Sequence, residues 1–422
     1  MNRSMQGSLL TIGDELLIGQ VLNSNITWMS EQLTNINCSV TQQLTVGDQK
    51  TEINRALDYL TQHSDFIVIG GGLGPTHDDL TMETLSQYFN IPLVYDGEWI
   101  QRVESFFSSR NRVMSENNKK QGYLLKDSNR IDNDCGTAAG QHFIVNVRGR
   151  KIEIFVVPGV PHEMKSMMNR YILPLLSKRT LAQGEKILRS TLLTTGIGES
   201  ALAEKCNPFV LKIKAIPTIT LAFLPSSTQV KLRLQTTTKT LAEEAQFQSL
   251  VEELKAYCGK DFYGFEPTNL EKIIIEHLIQ QKQSLALAES CTGGLISHLL
   301  TQVPKSSEVL RGSLISYQTE LKTIELNIPT EFIKENGVVS EKVAIAMAES
   351  IRQKWGTTFA ISSTGYLGPT GGDEFAKLGT VWIAVSSPEK TVTKSLYLAE
   401  NHRERNKERT AQAALDLLRR LF

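Results

Sequence analysis

The sequence predicts an α/β protein in three parts: a doubly wound N-terminal domain, a small α+β middle domain, and a second α/β domain at the C-terminal end. Three observations predict it. Apolar strand-like runs alternate with stretches of helical spacing through both outer parts. Two of those runs end in glycine-rich turns that lead straight into a helix, at 70–81 and at 288–294. Between them, residues 187 to 258 have a different texture, with short strands and one long amphipathic helix. A chain of 422 residues also exceeds what one ordinary core serves.

Residues 8 to 12 read as a buried strand, followed by a loop from Gly13 to Gln20 and a helix over 24–34 with Ser24 as N-cap. Val40 to Val46 is the next strand, ending in Gly47-Asp48. Ile53, Ala56, Leu57 and Leu60 give 50–62 helical spacing. Phe66 to Ile69 is a buried strand, and Met82 to Phe89 resumes helical periodicity. Residues 98 to 120 read as helical and polar, with Asn118 to Gln121 as a solvated charged face in preference to part of a site. Phe143 to Val147 and Lys151 to Val157 form a hairpin around Arg148-Gly149-Arg150. Pro158 and Pro161 make a rigid turn that serves equally as structure or as a ligand wall, opening a helix that ends near Leu176; the first domain spans 1–176.

The middle domain, 177–262, combines strands at Leu188–Thr194, Thr218–Leu224 and Val230–Gln235 with helices at Glu199–Cys206 and Leu241–Cys258. It lacks interleaved basic and aromatic positions, so it reads as a structural or oligomerisation module, with nucleic acid disfavoured. The third domain, 263–422, opens with a helix from Asn269 that feeds the strand Ser284–Ala288. Further strands follow at Val309–Tyr317, Thr358–Ser362, Thr380–Ser386 and Val392–Leu398. A Ser340-capped helix runs from Glu341 to Lys354, and a terminal helix covers 403–421.

Lysine plus arginine equals aspartate plus glutamate at 45 each, which argues against a basic surface spread over the whole molecule but not against a local patch. No apolar run reaches the ~18 residues that would span a membrane. Met1 to Gly7 leads into a strand and does not read as a signal peptide. The five cysteines form no Cys-x-x-Cys pair and the seven histidines no His-x-x-x-His pair. That predicts a reducing cytoplasm and no structural zinc.

Candidate chemistry lies at the two turns. Gly70, Gly71, Gly72 and Gly74 let backbone N–H groups converge on an anion at the sheet's carboxyl edge. Thr76 and Thr81 can donate to phosphate oxygens, or Thr81 can cap the helix. Asp78 and Asp79 suit a divalent ion that bridges to phosphate. The bland alternative is a flexible turn with acidic N-capping. In the second turn Ser290 is a candidate nucleophile with Cys291 as its rival, and N–H groups around Thr292 to Gly294 suit an oxyanion. No histidine is placed as its base. Lys322, five residues after Tyr317, can serve if burial lowers its pKa. By composition alone Lys322 reads as a solvated surface lysine and Cys291 as an inert buried thiol.

Together these motifs resemble the CinA, or competence/damage-inducible, family over nearly the whole chain. The N-terminal resemblance rests on Gly13 to Leu17, Val46-Gly47-Asp48, Gly71 to Thr81 and Pro158 to Met164. It implies a molybdopterin-binding-like fold with metal-dependent ADP-ribose pyrophosphatase activity. Gly71, Gly72, Gly74, Thr76 and Thr81 would then bind substrate. Asp14, Asp48, Asp78 and Asp79 would hold a divalent ion of the magnesium, manganese or cobalt class. The C-terminal resemblance rests on Ala288 to Gly294, Tyr317 to Lys322, Gly337 to Ser340 and Gly379 to Trp382. It implies a nicotinamide mononucleotide deamidase without a cofactor: Ser290 as nucleophile, Tyr317 and Lys322 as its activating partners. Thr292, Gly293, Gly294, Thr364, Gly365 and Arg403 fall on the substrate side, Arg403 toward phosphate. The middle part resembles a KH-type domain, and the family implies a homodimer.

Three departures stand out. The family usually has proline at Ala139, Gly-Ile-Ala-Gly-Pro at 365–369 where this chain carries Tyr366 and Leu367, and Pro-Gly-Ala-Ser at 304–307 where it carries Lys305. Tyr366 would narrow the way in for a nucleotide. The expectation is a cytoplasmic, bifunctional enzyme of pyridine-nucleotide salvage. The alternative is a molybdopterin-binding or competence-linked scaffold with vestigial sites.

Overall fold

The structure is a computed structural model and describes residues 5–181, 186–398 and 402–422; the first four residues of the N-terminal segment lie outside it. The chain forms two compact units that divide between Ile187 and Leu188.

The first unit is built on six strands: β1 (Gln6–Ile12), β2 (Ser39–Val46), β3 (Phe66–Gly70), β4 (Asn129–Ile131), β5 (Gly140–Val147) and β6 (Arg150–Val157). Their order is β2-β1-β3-β6-β5-β4. The first four in that order run parallel, and β5 and β4 pair antiparallel. β3 is buried from end to end, as a central parallel strand covered on both faces must be. Its alternate residues serve two cores. Ile67 and Ile69 pack with Ile53, Leu57 and Leu85 on one face, and Phe66 and Val68 with Met29, Leu33 and Met164 on the other. This is the doubly wound layering that the strand–helix alternation predicts. The β5–β6 hairpin turns at Arg148 (φ 54°) and Gly149 (φ 77°), which suits the right-handed twist of its strands.

Four local expectations change. The helix Ser24–Asn35 is capped by Asn23, whose side chain accepts the Ile26 N–H, and not by Ser24. Gly13 to Gln20 is not all loop, since Asp14–Leu17 forms a single helical turn. The helix expected over 98–120 stops at Ser108; a 3₁₀ segment, Glu116–Gly122, follows and buries Asn118 and Gln121. The helix expected to end near Leu176 continues as Leu173–Leu181.

The second unit holds two sheets. β7 (Lys186–Thr195), β8 (Thr220–Pro225), β9 (Gln229–Thr238) and β10 (Phe262–Phe265) lie in the order β8-β9-β7-β10. Leu232 and Leu234 of this sheet share a core with Leu202, Phe209, Phe247 and Leu250 of two helices, Glu199–Ile213 and Leu241–Cys258. The first helix runs past its expected end at Cys206 because Phe209 and Ile213 continue its buried face.

The other sheet contains β11 (Leu285–Glu289), β12 (Leu310–Ile315), β13 (Phe359–Gly365), β14 (Thr380–Ser386) and β15 (Thr391–Tyr397), in the order β12-β11-β13-β14-β15. β11 is parallel to both neighbours, and its last residue, Glu289, is level with Ile315 and Ser363. Leu285 and Leu287 face the terminal helix Arg403–Arg419 through Ala411, Leu415 and Leu418; Ala286 and Ala288 face the helix Glu341–Trp355 through Met347 and Ile351. β11 is thus sealed on both faces, and only its carboxyl end opens. Among the described residues no helix is long and apolar enough to cross a membrane.

Gly71 takes φ +111°, and a Cβ there would sit 2.2 Å from the Ile12 carbonyl oxygen. Gly71→Ala is therefore expected to destabilise the first unit by about 2 kcal/mol or more. Urea unfolding checks this; an unchanged midpoint would show that the loop relaxes at no cost.

Candidate active sites

The carboxyl ends of β1, β3 and β6 deliver Gly13, Gly71 and Gly159 to one cleft of about 490 Å³, the position where open parallel sheets bind ligands. Asp48, Asp78 and Glu163 also line it. Asp14 and Asp48 are tied reciprocally: the Asp14 N–H donates to Asp48 Oδ2 (2.9 Å) and the Asp48 N–H to Asp14 Oδ1 (3.2 Å). Burial pushes the Asp48 carboxyl above its ordinary value. The Asp14 N–H opposes that shift, and the charges of Asp14, Glu15 and Asp78 add to it.

The glycine-rich loop is largely occupied with itself. Thr81, expected on the substrate side, is fully buried and donates its hydroxyl to the Gly71 carbonyl (2.9 Å). Asp79, expected as a metal ligand, accepts the N–H (2.9 Å) and the hydroxyl (2.5 Å) of Thr76 on Oδ2. A side chain on Gly72 would strike Thr81 and one on Gly74 would strike Asp79, so these glycines serve the loop's own packing. Among the described residues no three His, Cys, Asp or Glu side chains converge as a metal-holding group. The four aspartates therefore do not form a closed ligand set. Asp48 and Asp78 line the cleft with carboxylate oxygens of the kind a divalent ion takes when water completes its shell.

The expected solvated face at 118–121 belongs to this loop. Lys120 Nζ donates to the carbonyls of Asp79 (2.7 Å) and Thr76 (3.2 Å), and Gln121 Nε2 to that of Leu73 (3.1 Å). The sequence signal was a polar run; its partners lie about forty residues away and could not be read from it.

In the second unit, Ser290 follows β11 at its open end. Its N–H donates to the Ser363 carbonyl (3.0 Å), which pins it to β13. Lys322, on the helix Thr319–Leu326, is 1% exposed and not the solvated lysine that composition suggests. Its Nζ donates to Ser290 Oγ (3.1 Å) and to the Ser316 carbonyl (2.7 Å). Burial pulls this amine down to about 8. Burial pushes the thiol of Cys291 up to about 12, which keeps it in its protonated form near neutral pH. Tyr317 is exposed, and its hydroxyl accepts from Arg403 Nη2 (2.6 Å); Arg403 Nη1 donates to the Gly368 carbonyl (2.8 Å).

Several groups expected to face a ligand are committed to the protein. Thr292 Oγ1 donates to Glu289 Oε2 (2.8 Å) and meets Ser363 Oγ (2.7 Å); Thr364 Oγ1 donates to the Val338 carbonyl (2.8 Å). The Gly293 N–H donates to the Ser290 carbonyl and the Gly294 N–H to Glu289 Oε2. Gly365 packs against Val381, where a Cβ would come within 2.7 Å. Tyr366 is held within its own loop, its hydroxyl on Asp373 (2.8 Å) and its ring against Gly371.

Two residues escaped the sequence reading. Glu289 lies fully buried under the turn. Lys407 places its ammonium over the turn, 3.5 Å from where a Cβ on Gly293 would stand. The signal for Lys407 was its i, i+4 spacing from Arg403 on one helix.

Comparison with known proteins covers all three parts. The family "Probable molybdopterin binding domain" matches residues 8–178, "Damage-inducible protein CinA KH domain" 189–264 and "CinA C-terminal domain" 267–422. A CinA-like protein of Cytophaga hutchinsonii is 37% identical over 100% of this chain and 99% of its own length. One from Dictyoglomus thermophilum is 37% identical over 99% of each. A solved CinA superfamily protein from Escherichia coli is 28% identical over 36% of this chain and 89% of its own, with a TM-score of 0.36.

The ordinary lysine value is 10.5 and that of Lys322 is about 8, so the folded state binds this proton more weakly than the unfolded chain. The resulting stability cost is absent well above the unfolded value, grows as pH falls, and is complete below the folded one. Lys322→Met removes it. Relative to the native chain, the variant is expected to gain about 2 kcal/mol more at about pH 6.5 than at about pH 9.5. Urea unfolding at both pH values tests this, and a pH-independent difference would contradict the buried-amine assignment.

Proposed function

The chain belongs to the CinA family, and on that premise we propose a bifunctional hydrolase of pyridine nucleotides. Its N-terminal domain is molybdopterin-binding-like, its middle domain KH-type, and its last a CinA C-terminal domain. In this reading the last domain converts nicotinamide mononucleotide to the acid and ammonia. The first cleaves ADP-ribose to AMP and ribose 5-phosphate.

The observation that carries the deamidase reading is the contact between Lys322 Nζ and Ser290 Oγ. An amine at about 8 is partly unprotonated near neutral pH and lies within reach of the proton it must take. Ser290 Oγ attacks the carboxamide carbon as Lys322 accepts its proton. The carbon–nitrogen bond then breaks, and ammonia leaves with the proton that Lys322 returns. A water molecule, deprotonated by the same amine, opens the acyl ester and frees Ser290. The N–H groups of Gly293 and Gly294 are engaged with the Ser290 carbonyl and Glu289, so neither serves as an oxyanion donor in this arrangement. Arg403 and Lys407 supply positive charge for the phosphate.

At the first site the support is the cleft, its glycine loop and the Asp14–Asp48 pair. A divalent ion bound there would neutralise and polarise the pyrophosphate oxygens. The chain's own part is to hold that ion through Asp48 and to keep the loop rigid through Lys120 and Gln121.

Ser290→Ala is expected to lower ammonia release from nicotinamide mononucleotide by at least ~10³-fold and to leave ADP-ribose cleavage intact. In the native enzyme, deamidation should rise with pH through a single ionisation near 8, that of Lys322. Full deamidation by the alanine variant, or a flat profile across that range, would sink the reading.

ADP-ribose cleavage is expected to vanish in chelator, to return with added magnesium, manganese or cobalt, and to fall at least ~10-fold in Asp48→Asn. Mass-spectrometric product analysis reads this directly. Chelator-resistant cleavage would count against the ion. Tight molybdopterin binding without turnover of either nucleotide would favour the scaffold alternative.

A further inference from the structure

Glu289 is a buried carboxylate that the proposed chemistry does not use. It is 0% exposed, and among the described residues no cation pairs with it. Five donors converge on it instead. Oε2 accepts from Thr292 Oγ1 (2.8 Å), the Gly294 N–H (2.9 Å) and the Ile296 N–H (3.1 Å). Oε1 accepts from the Ser297 N–H (2.9 Å) and Ser313 Oγ (3.0 Å). Three of the five are backbone groups where the helix Leu295–Thr301 begins, donors that would otherwise be left without partners. Two oxygens that accept throughout are what a carboxylate offers and an amide cannot.

The bonds reach the nucleophile through the backbone. Glu289 is the last residue of β11, and Ser290 is the next in the chain. Ser290, the first residue past the strand, leaves the anchored Glu289 with its Oγ 3.1 Å from Lys322 Nζ. The Glu289 carbonyl also accepts the Ser316 N–H (2.8 Å), and the Ser316 carbonyl holds Lys322. One residue thus ties the turn that carries Ser290 to the segment that seats its base.

We propose that Glu289 is the positioning residue of this site: by accepting five hydrogen bonds, its carboxylate holds the turn that presents Ser290 Oγ to Lys322. The inference rests on the reading of Ser290 as an acyl-transfer nucleophile.

Glu289→Gln keeps the shape but sets an amide N–H against one of the donors. It is expected to lower kcat for ammonia release ~10- to 100-fold, with KM changed less than about threefold, in protein shown to be folded by circular dichroism. A folded variant with kcat within about twofold of the native enzyme overturns the proposal. If the glutamine variant does not fold, Ser313→Ala, which removes a single donor, decides: a kcat loss of about threefold at unchanged KM supports it, and unchanged kcat overturns it. Should the native chain release no ammonia at all, the deamidase reading fails on its own. The readout is then labelling of Ser290 by a fluorophosphonate, for which ~10-fold slower reaction of Glu289→Gln supports positioning and equal rates overturn it.

Discussion

The second unit depends on keeping an amine dry. Lys322 sits at the open end of β11, a strand sealed by a helix on each face. Such burial disfavours the charged form, and the cost falls on folding. Two hydrogen bonds, to Ser290 and the Ser316 carbonyl, make that burial tolerable. The same desolvation lowers the Lys322 amine to about 8 and raises the Cys291 thiol to about 12. One physical effect therefore shifts two ionisable groups at the same turn in opposite directions.

The two glycine-rich turns share a construction. Each follows a fully buried parallel strand and opens a helix. In both, polar groups that look directed at a ligand turn out to satisfy the protein. Thr81 closes on Gly71, Thr76 on Asp79, and Thr292 on Glu289. The reason is general. A turn at the end of a sealed strand carries backbone and side-chain groups away from water, and each must find a partner or cost stability. Ligand-facing chemistry is left to the few groups not consumed in this way.

Much of the layout was legible in the chain. The alternation of strand and helix, the buried runs before each turn, and the Ser340 cap read correctly because they depend on near neighbours. The misreadings share a cause. The polar stretch at 118–121 looked solvated, and Asn118 and Gln121 are buried because Gln121 reaches the Leu73 carbonyl. Ser24 looked like a cap, and Asn23 does that work while also donating to Thr11 and Thr45. In each case a partner distant in sequence overrode a local preference.

By itself, then, the sequence determined the order of elements, the position of both turns and the presence of Ser290 at a strand-to-helix junction. These follow from periodicity and from where glycine is tolerated. Only the tertiary structure decided which lysine is buried, where the hydroxyls spend their hydrogen bonds and which aspartates stand together. Burial and pairing are properties of three-dimensional neighbours: Lys322 is thirty-two residues from Ser290, and Asp48 is thirty-four from Asp14. No local pattern encodes those distances, and the geometry of both candidate sites lies in them.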